Sequence, residues 1–227
     1  MPAPISIIIP TLDAADGLGP CLSSLLPGVE AGLVRELIIS DGGSEDETSR
    51  IADAAGAEFI QGAPGRAKQL IRGAGAARGD WLLFLHADTV LSPNWSERVR
   101  HHLESQPGRA ATFTLAYRSD ARMAKTVAAR ANRRARWFGL PYGDQGLLIS
   151  RQLYDKIGGY EDIPLMEDVR IVQAIGKRRL ALLSAEARTS AAKYERDGWR
   201  KRSWRNAWLI TRYLAGASPH RLARHYT

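Results

Sequence analysis

His86 and Asp88 stand one residue apart, directly after the apolar run Trp81-Leu-Leu-Phe-Leu85. Side chains at spacing two on an extended segment project to one side. An imidazole and a carboxylate placed so can share a divalent cation, which in turn can hold phosphate oxygens. On this tripeptide alone, a turn capped by Asp88 and a packed His86 compete with that chemistry. A second acidic pair, Glu167-Asp168, follows Pro164-Leu-Met166 at the expected start of a helix. A carboxylate there stays ionised and can act as a base toward a hydroxyl, or can simply cap the helix. Pro10-Thr-Leu-Asp13 and Asp41-Gly-Gly-Ser44 are two polar strand ends. Their carboxylates suit a base N–H or a ribose hydroxyl, and the glycines let a ligand approach the backbone; ordinary turn chemistry is the alternative.

Other stretches say less. Gly143-Asp-Gln-Gly146 is a polar turn that a ligand could approach, and Arg66 and Lys68 lie on a helical stretch that reaches either a diphosphate or water. Gly73-Ala-Gly-Ala-Ala-Arg78 imitates a dinucleotide fingerprint but precedes a strand instead of opening the helix after one. No Gly-x-Ser-x-Gly elbow supports acyl chemistry.

The elements that must position these residues are legible from periodicity. Apolar, β-branched or aromatic runs predict strands over 5–9, 35–40, 57–61 and 81–85, with Pro10 closing the first. Helices are predicted over 18–26, 65–78 and in a segment opened by the acids of 45–48. Strands and helices alternating in this way imply parallel pairing with right-handed crossovers. Beyond residue 90, helices are expected over 93–103, 118–136, 151–157 and 166–176, and strands over 110–117, 145–150 and 179–183. In an α/β sheet the crevice at the carboxyl ends of the strands holds the ligand, which is where His86, Asp88, Asp41 and Thr11 all fall.

Composition bounds the class. With 227 residues, 44% hydrophobic and 25% charged, the chain is a globular protein with one full core. A single cysteine, Cys21, excludes a disulfide framework and suits a reducing compartment. Met1-Pro-Ala-Pro4 lacks the features of a signal peptide, and no apolar run is long enough to span a membrane. The net charge of +8 is uneven: residues 177–227 carry 13 Lys and Arg against Glu186, Glu195 and Asp197, leaving the first 176 residues at −2. A basic tail interleaved with Trp199, Trp204, Trp208 and Tyr213 fits a phosphate-rich ligand, an anionic membrane surface or nucleic acid.

Taken in order, the strand-Pro10-Thr11 opening, Asp41-Gly-Gly-Ser-x-Asp46, His86-Ala-Asp-Thr89, Gly143-Asp-Gln-Gly146 and Met166-Glu-Asp168 resemble the family 2 glycosyltransferases. The likeness covers roughly residues 5–183, and is greatest to a small bacterial branch with a His-Ala-Asp-Thr motif and a tail ending in Ser-Pro-x-Arg-Leu-Ala-Arg. It implies the GT-A fold, a mixed, mostly parallel sheet between helices, over residues 1–183, with 184–227 as a basic helical extension packed on it or closing over it. It implies an inverting transfer of a sugar from a nucleotide-diphosphate donor to an acceptor hydroxyl. By that similarity Pro10, Thr11, Asp13, Asp41, Arg66, Lys68 and Ala87 would surround the nucleotide, and Asp88 with His86 would hold Mn²⁺ or Mg²⁺ at the diphosphate. Asp168 would be the base and Glu167 its orienting neighbour, with Asp144 and Gln145 bordering the sugar or acceptor. Arg196 and Trp199 would come from a tail segment that closes over the diphosphate. One departure stands out: the family's metal motif more usually begins with an acid where this chain has His86, which shifts preference toward manganese.

Two alternatives compete with transfer. A nucleotidyltransferase on the same fold would show a Gly-rich basic loop after the first strand, and Pro10-Thr-Leu-Asp-Ala14 lacks it. A non-catalytic module would use only the tail, on membrane or nucleic acid; the neutral body and two carboxylate clusters disfavour nucleic acid. The expectation is a cytoplasmic protein, peripheral at the inner face of the membrane, whose tail meets a bilayer or a lipid-linked acceptor. Plain packing of the tryptophans onto the domain is the rival account of the tail.

Overall fold

The structure, a computed structural model, describes residues 3–224; the tail expectation for residues 225–227 and the reading of Met1 and Pro2 fall outside them. Strands β1 (Ile5–Thr11), β2 (Val34–Asp41), β3 (Glu58–Gln61) and β4 (Trp81–Phe84) pair in parallel, with β1 between β2 and β4. Their core-facing residues are mostly branched or aromatic, and the β1 side chains alternate between two cores. Ile5, Ile7 and Ile9 join a cluster with Leu18, Cys21, Trp95 and Phe113, while Ile8 joins one with Leu70, Leu82, Phe84 and Ile171. Both faces are covered, as a parallel sheet requires.

Beyond β4 the sheet changes direction. β7 (Leu147–Ser150) lies antiparallel to β4 and to β6 (Ala110–Tyr117); β8 (Leu180–Thr189) runs parallel to β6; and the two-residue β5 (Val90–Leu91) caps the edge antiparallel to β8. The eight strands lie in the order β3-β2-β1-β4-β7-β6-β8-β5. The expected mixed, mostly parallel sheet between helices is therefore present.

Helices α1 (Ala15–Ser23), α2 (Leu26–Glu30), α3 (Thr48–Ala54) and α4 (Arg66–Ala76) fill the crossovers, followed by α5 (Trp95–Ser105), α6 (Arg122–Phe138), α7 (Arg151–Lys156) and α8 (Glu167–Ile175). The basic tail forms α9 (Ala192–Asp197), α10 (Trp199–Leu214) and α11 (Pro219–Ala223). No described helix is long and apolar enough to cross a membrane.

Several boundaries differ from the periodicity for physical reasons. Pro10 does not end β1. Its ring nitrogen lies on the β4 side of the strand, past the last β1–β4 pair at Ile8 and Phe84, so the missing N–H interrupts no ladder. The helix expected over 18–26 starts at Ala15 and breaks into α1 and α2. Its first N–H groups are capped from the neighbouring loop, Ala14 by Thr48 Oγ1 at 3.0 Å and Ala15 by Asp46 Oδ2 at 2.9 Å. A cap supplied from over thirty residues away leaves no local signature. The last strand continues from the expected 179–183 through Thr189, past an irregularity opposite Phe113 and Thr114.

Candidate active site

The carboxyl ends of β4, β6 and β8 and the start of α8 converge on a cavity of about 180 Å³. The β4 end supplies His86 and Asp88, and the turn Gly143–Gln145 supplies Asp144. α8 supplies Asp168, and α4 supplies Arg66. The two acidic groups that lie far apart in the chain thus share one cavity wall. Asp88 is oriented from β8, whose Thr189 Oγ1 donates to Asp88 Oδ1 at 3.3 Å; the six residues of strand beyond 183 make that contact.

Asp168 is the most firmly held. Its Oδ1 accepts from its neighbour's N–H at Val169 at 2.8 Å, and its Oδ2 accepts from Gly143 N at 2.8 Å. Gly143 is required by close approach: a Cβ there would lie 2.7 Å from His86 Nε2 and 3.4 Å from Asp168 Oδ2. Just before the pair, Met166 adopts φ 70°, a left-handed conformation uncommon for a residue with a side chain, and lines the cavity. Glu167 is buried and ion-paired with Arg66. Burial pushes its carboxyl up, Arg66 pulls it down, and the net direction is upward.

Electrostatics follow from burial beside like and unlike charge. Burial drives the His86 imidazole down to about 4, helped by Arg66 and opposed by Asp88 and Asp168, so the ring is neutral at pH 7. Burial raises Asp144 to about 6; Arg134 opposes it, and Asp168 and Asp88 reinforce it. Asp144 Oδ1 is buried with no hydrogen-bond partner. Cys21, behind the site with its Sγ 3.6 Å from the His86 carbonyl, is pushed up to about 12 by burial and by Asp88, which makes it an unreactive thiol.

The tail closes one side of the cavity, through residues other than those expected. Lys193, Tyr194, Arg202 and Asn206 line it, with Leu209 and Ile210 forming an apolar end against Leu165 and Met166. Trp199 does not line it but stacks on Tyr194 at 4.8 Å and meets Tyr117 edge-on. Arg196 pairs with Asp197, as does Arg202 at 2.6 Å, and these arginines bring the Asp197 carboxyl down to about 2. The alternation of basic and aromatic residues marked the tail, but not which members turn inward.

Of the remaining expected residues, Pro10, Thr11, Asp13, Asp41, Lys68, Ala87 and Gln145 do not line the cavity. Asp41 is buried, with Oδ1 accepting from Thr11 Oγ1 at 2.8 Å and Ser44 Oγ at 2.5 Å, and Oδ2 from the Gly43 and Ser44 N–H groups. Asp13, at φ 47°, accepts from Glu45 N and donates from its own N–H to Ser44 Oγ. These bonds stitch Pro10, Thr11 and Asp13 to the loop after β2. Gln69, not singled out from the sequence, donates to the carbonyls of Thr11 and Ser40 and locks the same two strand ends. Ala87 is half-buried between the two β4 end residues; Lys68 is exposed on α4; and Gln145 is fully buried, donating to Phe113 O at 2.9 Å. Neither Lys68, Gln145, Asp41 nor Arg196 lines the cavity.

The chain is similar to known proteins in sequence and in fold. Glucosyl-3-phosphoglycerate synthase of Mycolicibacterium paratuberculosis is 38% identical over 95 residues, covering 38% of this chain and 29% of that protein. A PGL/p-HBAD biosynthesis glycosyltransferase of Mycobacterium bovis is 40% identical over 106 residues, covering 40% of this chain and 38% of its own length. The chain thus matches only about a third of the length of these curated relatives. Among solved structures, the Mycobacterium tuberculosis glucosyl-3-phosphoglycerate synthase in complex with Mn²⁺ and uridine-diphosphate-glucose superposes with a TM-score of 0.57 at 22% identity, covering 82% of this chain and 69% of that one. S. aureus TarS superposes with a TM-score of 0.65 at 15% identity, covering 82% and 60%. These likenesses establish the shared GT-A fold. The profile of glycosyl transferase family 2 matches residues 6–160, the stretch that carries β1 to β7, His86, Asp88 and Asp144, and the chain belongs to that family.

Proposed function

We propose that this protein transfers a sugar from a nucleotide-diphosphate donor to an acceptor hydroxyl with inversion. The observation that carries the reading is the meeting of Asp88, Asp144 and Asp168 with Arg66, Lys193 and Arg202 in one cavity at the strand ends. Three cations there suit a diphosphate. Asp168, fixed by two backbone N–H groups, keeps lone pairs free to accept the acceptor's proton while its orientation is held. Glu167, through Arg66, is a positioning residue. The nucleoside is assigned to the strand ends that carry Pro10, Thr11, Asp13, Asp41 and Ala87, where Asp41 acts by holding the loop after β2. Trp199, stacked on Tyr194, Arg196, paired with Asp197, and Gln145, bonded to Phe113 O, act from outside the cavity, and Lys68 has no part in this reading.

A divalent cation fits the donor set. Among the described residues no three His, Cys, Asp or Glu side chains converge on one point, so the protein would supply one or two ligands and the diphosphate and water the rest, a common pattern for magnesium-type sites. Asp88, with only a long contact from Thr189, and the neutral His86 would hold the ion. When bound, the cation would neutralise charge on the departing diphosphate. Relatives crystallised with Mn²⁺ and uridine diphosphate support manganese and a uridine donor, and His86 favours manganese over magnesium.

A second base is favoured by one observation: Asp144 is the cavity carboxyl raised to about 6, close to the range in which a general base works best. Single-turnover transfer by Asp168→Asn and Asp144→Asn separates them. The account expects Asp168→Asn to bind UDP as the parent does and to lose transfer by at least about a thousandfold. A loss confined to Asp144→Asn would move the base to Asp144. The acceptor is proposed to be lipid-linked, because the cavity's apolar end lies next to Asp168 and the outer face of α10 exposes Trp204 and Trp208 (77% and 43%) beside Arg200 and Lys201.

A further inference from the structure

A second hollow, of about 400 Å³, opens away from the cavity, between the C-terminal end of α6, the start of β6 and the short turn Lys177–Arg179. Arg109, Arg136 and Lys177 line it, and no carboxylate does among the described residues. Arg109 is tethered at both ends of its fork, to Gln106 Oε1 at 2.6 Å and to Leu180 O at 2.8 Å, while its Nε is buried without a partner. A guanidinium held in this way keeps a charged donor unsatisfied, and an anionic oxygen is the group that relieves it.

The rim is apolar. Trp137 and Phe138 are 60% and 66% exposed and stand between the lining residues Arg136 and Gly139. α6 ends at Gly139 with φ 65°, and a Cβ there would lie 2.8 Å from Lys177 Cβ. That close approach brings the Arg136 and Lys177 edges together. Exposed Arg133 and Arg178 extend the positive surface. Two large aromatic rings beside cations, over a basic hollow without acids, match the physical profile of the headgroup layer of an anionic bilayer. Water alone gives these rings no partner.

We propose that this hollow and its rim are a membrane-contact element separate from the tail, in which Arg109, Arg136 and Lys177 take the phosphate of an anionic lipid headgroup and Trp137 and Phe138 enter the interfacial layer. One such contact is weak, and stable attachment takes two. The exposed tryptophans of α10 are tested beside it as the second. The proposal does not depend on which sugar is transferred, or on transfer at all.

The full chain is sedimented with phosphatidylcholine vesicles, with and without phosphatidylglycerol, and compared with Trp137→Ala/Phe138→Ala, Arg136→Glu/Lys177→Glu and Trp204→Ala/Trp208→Ala. All six positions are exposed, and unchanged thermal unfolding verifies each fold. Binding is expected to require phosphatidylglycerol, to fall at least about tenfold in Arg136→Glu/Lys177→Glu, since each cation near such a surface contributes about a factor of five, and to fall at least about tenfold in Trp137→Ala/Phe138→Ala, which takes two rings out of the interfacial layer. Binding untouched by both α6-side variants overturns it, whether or not the α10 variant abolishes binding. Equal binding to neutral vesicles, or none to anionic ones, overturns it as well.

Discussion

Asp168, Gly143 and His86 form the tightest arrangement in the site, because the turn's backbone rests between an imidazole and a carboxylate. Gly143→Ala would push a Cβ against His86 Nε2 and tilt the turn that orients Asp168. A displacement of this order costs about a hundredfold in rate. We expect that loss in transfer with little change in UDP affinity, read from kcat and a binding titration. Asp41 has a different part, and its test is stability. Burial pushes its carboxyl up, but bonds from Ser44, Thr11 and Gly43 outweigh that, and the net shift is downward from 3.8. A depressed carboxyl adds stability above its unfolded value and loses it as pH falls through the folded one. Asp41→Asn should therefore lower stability at pH 7 by about 2 kcal/mol, with the gap closing below about pH 4 in denaturant titrations. At this scale, residue types were legible and partners were not. Asp41, Asp88 and Asp168 stand out because they recur, in order, at strand ends and a helix start, although each alone could serve as a cap or turn residue. Asp41 binds its own loop at separations of two and three residues and Thr11 across thirty, whereas the unpartnered Asp144 Oδ1 is set by whatever the fold packs around it.

Among the elements, the tail helix α10 matters most to the site. Leu209, 1% exposed, anchors it in a cluster with Leu165, Met166, Val169 and Leu222, directly behind the α8 turn that carries Asp168. Leu209→Ala should cost about 2–3 kcal/mol and raise the acceptor KM more than it changes UDP affinity, read by thermal unfolding and steady-state kinetics. The helices and strands of the first ninety residues were readable because both faces of a parallel sheet are apolar and the period is plain. The periodicity ends β8 at residue 183 because Ser184-Ala-Glu-Ala-Arg-Thr189 has small and charged residues and sits past an irregularity. β5 is two residues long, below any periodic signal. The inward members of α9 and α10 were not readable either, since every face of a basic-aromatic helix looks alike in one dimension.

For the whole molecule, a neutral body and a basic tail divide the work. The sheet brings its strand ends to one crevice; the tail brings Lys193, Tyr194, Arg202 and Asn206 over it. The family and the fold were legible from ordered motifs, whereas the hollow beside Trp137 was not, because Arg109, Arg136 and Lys177 lie in three separate segments. In this reading Asp88 holds the donor's diphosphate through a divalent ion while Asp168 acts only on the acceptor. Calorimetric titration of UDP, with and without Mn²⁺, into the parent protein, Asp88→Asn and Asp168→Asn separates the two roles. Binding should require Mn²⁺, be equal in the parent and Asp168→Asn, and be weakened at least about tenfold in Asp88→Asn. Binding that ignores Mn²⁺, or that Asp88→Asn leaves intact, rules out this division of roles.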